Sequence, residues 1–171
     1  MKIVKISASV VVVLCVIFLC LGLFAPVIRY STSVEVNASP EKCWNTFHDT
    51  SKLNLWMEGL ESFKQIKGDT MARGAMYEIV IVQDERMVMH EEIKELTPLH
   101  VVYELNNDVL KSNYSVDFTG NNQQTTIEMK YAVTGNNLLW KSLFVLSKSY
   151  FQKEGQKQLD LFKKMIESLP E

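Results

Sequence analysis

Cysteine is scarce in this chain. Of its three cysteines, Cys15 and Cys20 lie inside a long apolar run and read as small apolar residues there. Cys43 is alone in the remainder, so no internal disulfide can staple the domain and cysteine usage does not report the compartment. Histidine is equally rare, and His48, His90 and His100 show no metal-ligand spacing. The pair His90-Glu91 begins like a zinc-protease helix, but the residue four after His90 is Lys94. No metal site and no cofactor is expected. The seven glycines form no phosphate loop, and neither a nucleophile elbow nor a serine or Cys43 with a recognisable histidine partner occurs. The sequence carries no positive mark of an enzyme.

Positive charge is also in short supply. Three of the 18 basic residues, Lys2, Lys5 and Arg29, flank the apolar run, which leaves 15 against 20 acidic ones and a net of −5 for the rest. Binding to phosphate backbones requires clustered Lys and Arg, so nucleic acid is excluded as a partner.

No charge at all occurs among the 23 residues from Ile6 to Ile28. A bilayer-spanning helix needs about 20 apolar residues, so residues 1–29 are expected to form a single-pass transmembrane anchor. A cleaved secretory signal would have a shorter core of about 7–15 residues ending at a small-x-small site. The nearest equivalent here, Leu23-Phe24-Ala25, begins with a bulky residue and runs into Pro26. The slight excess of positive charge before the run favours a cytoplasmic N-terminus and places residues 30–171 outside the cytoplasm. Those 142 residues suffice for one domain with a real core.

That domain opens with an alternating strand, Tyr30 to Asn37, in which Tyr30, Thr32, Val34 and Val36 share a face. Ser39-Pro40-Glu41 then supplies a helix cap, a first-turn proline and an acid at the positive end of the dipole. Trp44 and Phe47 are expected inward from this helix, and Leu53 with Trp56 suggests a second short helix. From Ser62 to Thr134, alternating runs are punctuated by turn residues such as Gly68-Asp69 and Asn106-Asn107-Asp108, the pattern of an antiparallel meander of about six strands. Leu138 to Ser168 is helical in period, with Trp140, Phe144, Phe151, Leu159, Phe162, Ile166 and Leu169 in one stripe. The fold class is therefore α+β: a curved antiparallel sheet of about seven strands, two short helices after the first strand, and a long C-terminal helix across the sheet.

Several local motifs follow one another in this order: Val34-Glu35-Val36-Asn37-Ala38-Ser39-Pro40-Glu41-Lys42, the aromatic Trp56, Gly74-Ala75-Met76-Tyr77, Ile93 with Pro98 five residues on, and Phe151-Gln152-Lys153-Glu154-Gly155 leading into Leu159 and Phe162. In this respect the chain resembles the START-like (SRPBCC) superfamily of helix-grip proteins, particularly its small polyketide-cyclase-like members, over nearly all of residues 30–169. The resemblance implies an internal cavity for a hydrophobic small molecule or lipid. It does not by itself imply an activity, since lipid carriers, cyclases, receptors and chaperone cofactors share the fold.

Strand parity supplies the walls of such a cavity. Inward positions include Tyr77, Ile79, Met87, Met89, Tyr103, Tyr114, Val116, Phe118, Met129 and Tyr131, joined by Phe151 from the helix. Methionine adapts to irregular shapes and tyrosine offers an apolar body with a polar tip, as a greasy ligand with a few polar groups requires; the same residues would also serve to fill a solid core. Gly155 should face the sheet, for close packing or to leave room for a ligand, because a glycine inside a helix otherwise costs up to ~1 kcal/mol. Parity also turns Glu91 inward, where it would be a weak candidate acid or base; a bulge would turn it to solvent instead. Finally, Leu138 to Leu146 is apolar enough to leave Leu139, Leu143 or Val145 exposed as a membrane-touching face or ligand gate. The expected function is membrane-anchored ligand binding without catalysis. The alternatives are a cyclase or hydrolase using Glu91 and a tyrosine, and an interaction module of the chaperone-activator type.

Overall fold

The computed structural model describes residues 2–169, with side chains from Ser9 onward. Helix α1 (Lys2–Phe24) is followed directly by strand β1 (Val27–Val36), helix α2 (Pro40–Phe47) and a single 3-10 turn at Leu53–Leu55. Six strands follow: β2 (Leu60–Lys67), β3 (Met76–Val82), β4 (Arg86–Thr97), β5 (His100–Asn106), β6 (Leu110–Gly120) and β7 (Thr125–Gly135). Helix α3 (Leu138–Ser168) closes the chain.

The strands form one antiparallel sheet in the order β1-β7-β6-β5-β4-β3-β2. The meander pairs neighbour with neighbour, and β1 joins its free edge beside β7. Local chemistry accounts for the boundaries. The Ser39 hydroxyl accepts the Lys42 N–H at 3.2 Å to cap α2, with Pro40 in the first turn. The Asn137 side chain does the same for α3, accepting from the Trp140 N–H at 3.1 Å. Gly74 adopts φ +84°, a conformation glycine enters freely, and its N–H donates to the Ile93 carbonyl, locking the entry to β3 against β4. The second expected short helix is no more than the 3-10 turn.

Alternation decides which side chains meet α3. On β1, Ile28, Thr32 and Val36 are buried while Arg29, Ser31, Ser33 and Glu35 point to water. Below α3, Leu159, Phe162 and Ile166 pack with Phe47, Trp56, Val36, Val116 and Phe118 into the main core. A smaller cluster of Ile28, Val133 and Phe144 lies toward the start of α3.

The N-terminal segment differs from expectation. Among the described residues no helix is long and apolar enough to cross a membrane. The uncharged run does not remain one helix, because Pro26 interrupts it and Val27 already pairs with Thr134 in the sheet, three residues before the expected start at Tyr30. Nor does α1 stand apart from the domain. It lies on the first turns of α3, where the Gly22 N–H donates to the Ser142 hydroxyl at 3.2 Å and that hydroxyl donates to the Leu138 carbonyl at 3.0 Å. A Cβ at Gly22 would stand 2.5 Å from the Ser142 oxygen, so only glycine permits this approach. Leu139 and Leu143 are exposed as anticipated, together with Leu146, whereas Val145 is half-buried.

Candidate ligand cavity

The sheet and α3 do not meet along their whole length. Between them, and under the loops at Thr50–Met57 and Thr70–Met71, lies a cavity of about 470 Å³. A space of this size lies within the range that small-molecule sites occupy.

Its floor is organised by strand register. Tyr103 on β5 pairs with Tyr114 on β6, Tyr114 with Tyr131 on β7, and Tyr131 with Tyr30 on β1. Residues directly opposite on one face stand about 5 Å apart, so four tyrosines in one cross-strand row must stack. Their ring centroids are separated by 5.0, 5.5 and 4.7 Å in that order, and Phe151 of α3 continues the row at 6.5 Å from Tyr30. On the far side, Tyr77 stacks on Phe63 at 4.9 Å.

Two ionisable groups besides the tyrosines line the cavity. Glu91 is buried, with Tyr77 and Leu105 directly across from it on the neighbouring strands. Its Oε2 accepts a short hydrogen bond from the Tyr114 hydroxyl. Burial pushes its carboxyl up to about 7, and the bond from Tyr114 only partly opposes this. His48, just past the end of α2, is fixed by two bonds. A carbonyl only accepts, so the 2.8 Å contact to Trp44 places the proton on Nδ1, and Nε2 accepts the Tyr103 hydroxyl at 3.0 Å. Burial holds His48 below its ordinary value, and it raises Tyr103, Tyr114 and Tyr131 above theirs, so the histidine and the phenols are neutral around neutrality. A third polar tip is pinned by a loop: the Tyr77 hydroxyl accepts the N–H of Met71, a residue held at φ 53°.

The cavity walls include Tyr77, Ile79, Met89 and Tyr103 of the expected residues, and also Tyr114, Met129, Tyr131 and Phe151. Glu91 joins them, because the irregularity in the β4–β5 pairing falls between Ile93 and Glu95, beyond the point where it would reverse the side chain. Four expected residues lie elsewhere. Met87 is 44% exposed, since it sits at the start of β4 beside the Gln83–Glu85 turn, beyond the cover of the helices. Val116 and Phe118 do face inward, but α2 covers that end of the floor: Phe118 meets Trp44 and Phe47 edge-on, and Val116 is fully buried in the main core. Gly155 faces the sheet, against Thr32 and the Tyr131 ring, behind the cavity wall.

His48, Trp56, Phe63, Met71 and Tyr30 are cavity residues that sequence reasoning did not assign to the site. Tyr30 was legible on the inward face of its strand, but its place beside Tyr131 depends on the long-range β1–β7 pairing. Phe63 stands on β2, an edge strand whose pairing with β3 shifts register on either side of it, and His48, Trp56 and Met71 reach the cavity from loops or short elements, where no periodicity marks a direction.

A curved antiparallel sheet gripping a long helix over an internal cavity defines a helix-grip ligand-binding fold. The chain belongs to the family described as polyketide cyclase / dehydrase and lipid transport, whose pattern matches residues 27–167. Solved structures share the fold at low identity. Over 85% of this chain it superposes on the di-domain aromatase/cyclase BexL with a TM-score of 0.67 and 10% identity, spanning 52% of that protein's length. The Zhui aromatase/cyclase from a Streptomyces species aligns at TM-score 0.66 and 10% identity, covering 82% of this chain and 94% of that one. Norcoclaurine synthase from Thalictrum flavum aligns at 0.63 and 11%, covering 85% and 90%. Comparison with curated protein sequences gives no match.

Proposed function

We propose that this protein binds a hydrophobic small molecule or lipid in its cavity without turning it over. The observation that carries this is the 470 Å³ of space walled by the stacked tyrosine row. A ligand burying ~300 Å² of apolar surface there would gain about 7 kcal/mol before ordering costs, and the hydroxyl tips would set its orientation. An interaction module of the chaperone-activator type has no use for such a space. Native mass spectrometry of the full chain released from detergent tests the proposal. A stoichiometric bound organic molecule is expected; a ligand-free protein that takes up nothing from a lipid extract would overturn it.

One observation favours a second reading, that of a cyclase-type enzyme. Glu91, with its raised carboxyl, and the Tyr114 hydroxyl are hydrogen-bonded inside the cavity, and a general acid or base works best when it titrates near the working pH. Turnover that Glu91→Gln abolishes while binding persists would establish it.

The same proposal extends to location, with the uncharged N-terminal run holding the chain to a membrane and the cavity domain outside the cytoplasm. Supporting it are the uncharged Ile6–Ile28 run and the outward, exposed Val10, Val13, Leu14 and Ile17 of α1. Alkaline carbonate extraction of the full chain should leave it in the membrane pellet, and release into the supernatant would refute anchoring.

A further inference from the structure

Among the described residues, Glu91 is the sole carboxylate lining the cavity, and no lysine or arginine lines it. The other basic group there, His48, is held below its ordinary value by burial, with Nδ1 on the Trp44 carbonyl and Nε2 on the Tyr103 hydroxyl. Every side chain around Glu91 is therefore uncharged. Tyr77 and Leu105 lie across from it, Met89 and Ile93 flank it along β4, and Tyr114 supplies one hydroxyl to Oε2. The second carboxylate oxygen, Oε1, accepts no hydrogen bond from the described residues and is not among the fully buried unpartnered polar atoms, Thr32 Oγ1 and Trp56 Nε1, so it is open to the cavity. An ionised carboxylate buried this way is costly until an opposite charge reaches it.

We propose that the cavity takes an organic ammonium, a positively charged amine on an aromatic or otherwise apolar body, with the nitrogen held by Glu91 and the body lying along the tyrosine row. This inference rests on the ligand-binding reading above and names the ligand class for that same cavity. The amine supplies the counter-charge that the protein lacks and gives Oε1 its donor. The apolar remainder is packed against the row rather than hydrogen-bonded, so shape and charge, not a polar pattern, select the ligand.

The test is calorimetric titration of the full chain in a mild detergent, at pH 8, with two probes of matched body: 2-naphthylmethylamine and 2-naphthylmethanol. Heats of titration into detergent alone are subtracted. The amine should bind at least about tenfold more tightly than the alcohol, and this advantage should vanish in Glu91→Gln. A native-chain measurement stands if that variant fails to fold: near pH 7 the amine should expel protons as Glu91 becomes a carboxylate, seen as heats that differ between buffers of different ionisation enthalpy, and the alcohol should expel none. If the alcohol binds as tightly as the amine, or amine binding releases no proton, the ammonium inference fails while the ligand-binding reading stands. If neither probe binds, both fail.

Discussion

Tyr114 on β6 reaches past the whole of β5 to place its hydroxyl on the Glu91 carboxylate of β4. The bond ties the centre of the tyrosine row to the one acid in the cavity. It also couples the ionisation of that acid to the stability of the sheet.

Burial raises the Glu91 carboxyl from 4.5 to about 7. Between these values the folded protein holds a proton that the unfolded chain has released, so the contribution of Glu91 to stability is greatest below about 4.5, falls as pH climbs to about 7, and stays lower above it. The swing is on the order of 3 kcal/mol. Denaturant unfolding at pH 5 and pH 8 measures it. Glu91→Gln should flatten the profile and be the more stable protein at pH 8; an unchanged profile in that variant would mean another group is responsible. Tyr114→Phe removes the bond that opposes the shift, so the midpoint of the profile should move to higher pH.

Ser112 lies on the cavity floor, paired with Leu105 and Val133, and is buried without a large side chain. Ser112→Phe should occupy ligand space. Affinity for an apolar probe such as 2-naphthylmethanol should drop at least about tenfold, with an overpacking cost of no more than about 1–3 kcal/mol in unfolding. Unaltered affinity would place the ligand elsewhere.

At Gly22 a methyl group would stand 2.5 Å from the Ser142 hydroxyl and 2.6 Å from its backbone nitrogen. The latter cannot swing aside. Gly22→Ala should loosen α1 from α3, read as faster proteolysis in the Ala25–Pro26 linker, while the ligand cavity continues to bind its probe.

Gly155 behaves in the opposite way. A Cβ there would find Thr32 at 3.4 Å and the Tyr131 ring at 3.7 Å, ordinary van der Waals contact. Gly155→Ala should therefore raise stability by about 0.5–1 kcal/mol through helix propensity alone. A loss of stability, measured by thermal unfolding, would show that the helix sits closer to the sheet than this.

Much of this architecture is written in the period of the apolar residues. Alternation in β3 to β7 marks which side chains face α3, because side chains of a strand must point alternately to its two faces, and it correctly turns Glu91 inward with Met89 and Ile93. Ser39-Pro40 starts α2 where local capping chemistry requires. Parity does not say how far along a strand the cover extends. That is why Met87 falls outside the cavity at a strand end, and why Val116 and Phe118 are sealed beneath α2.

The sequence alone determined the sheet, the long closing helix, the inward faces and the absence of charge from Ile6 to Ile28, since each follows from periodicity and composition within a short window. Only the tertiary structure decided that four tyrosines distant in the chain form one stacked row, that His48 and Met71 hold two of the phenol tips, and that α1 docks through Gly22 onto Ser142. Those relationships depend on strand order, register and the approach of separate elements. They arise from the joint packing of the whole chain, which no local run of residues encodes.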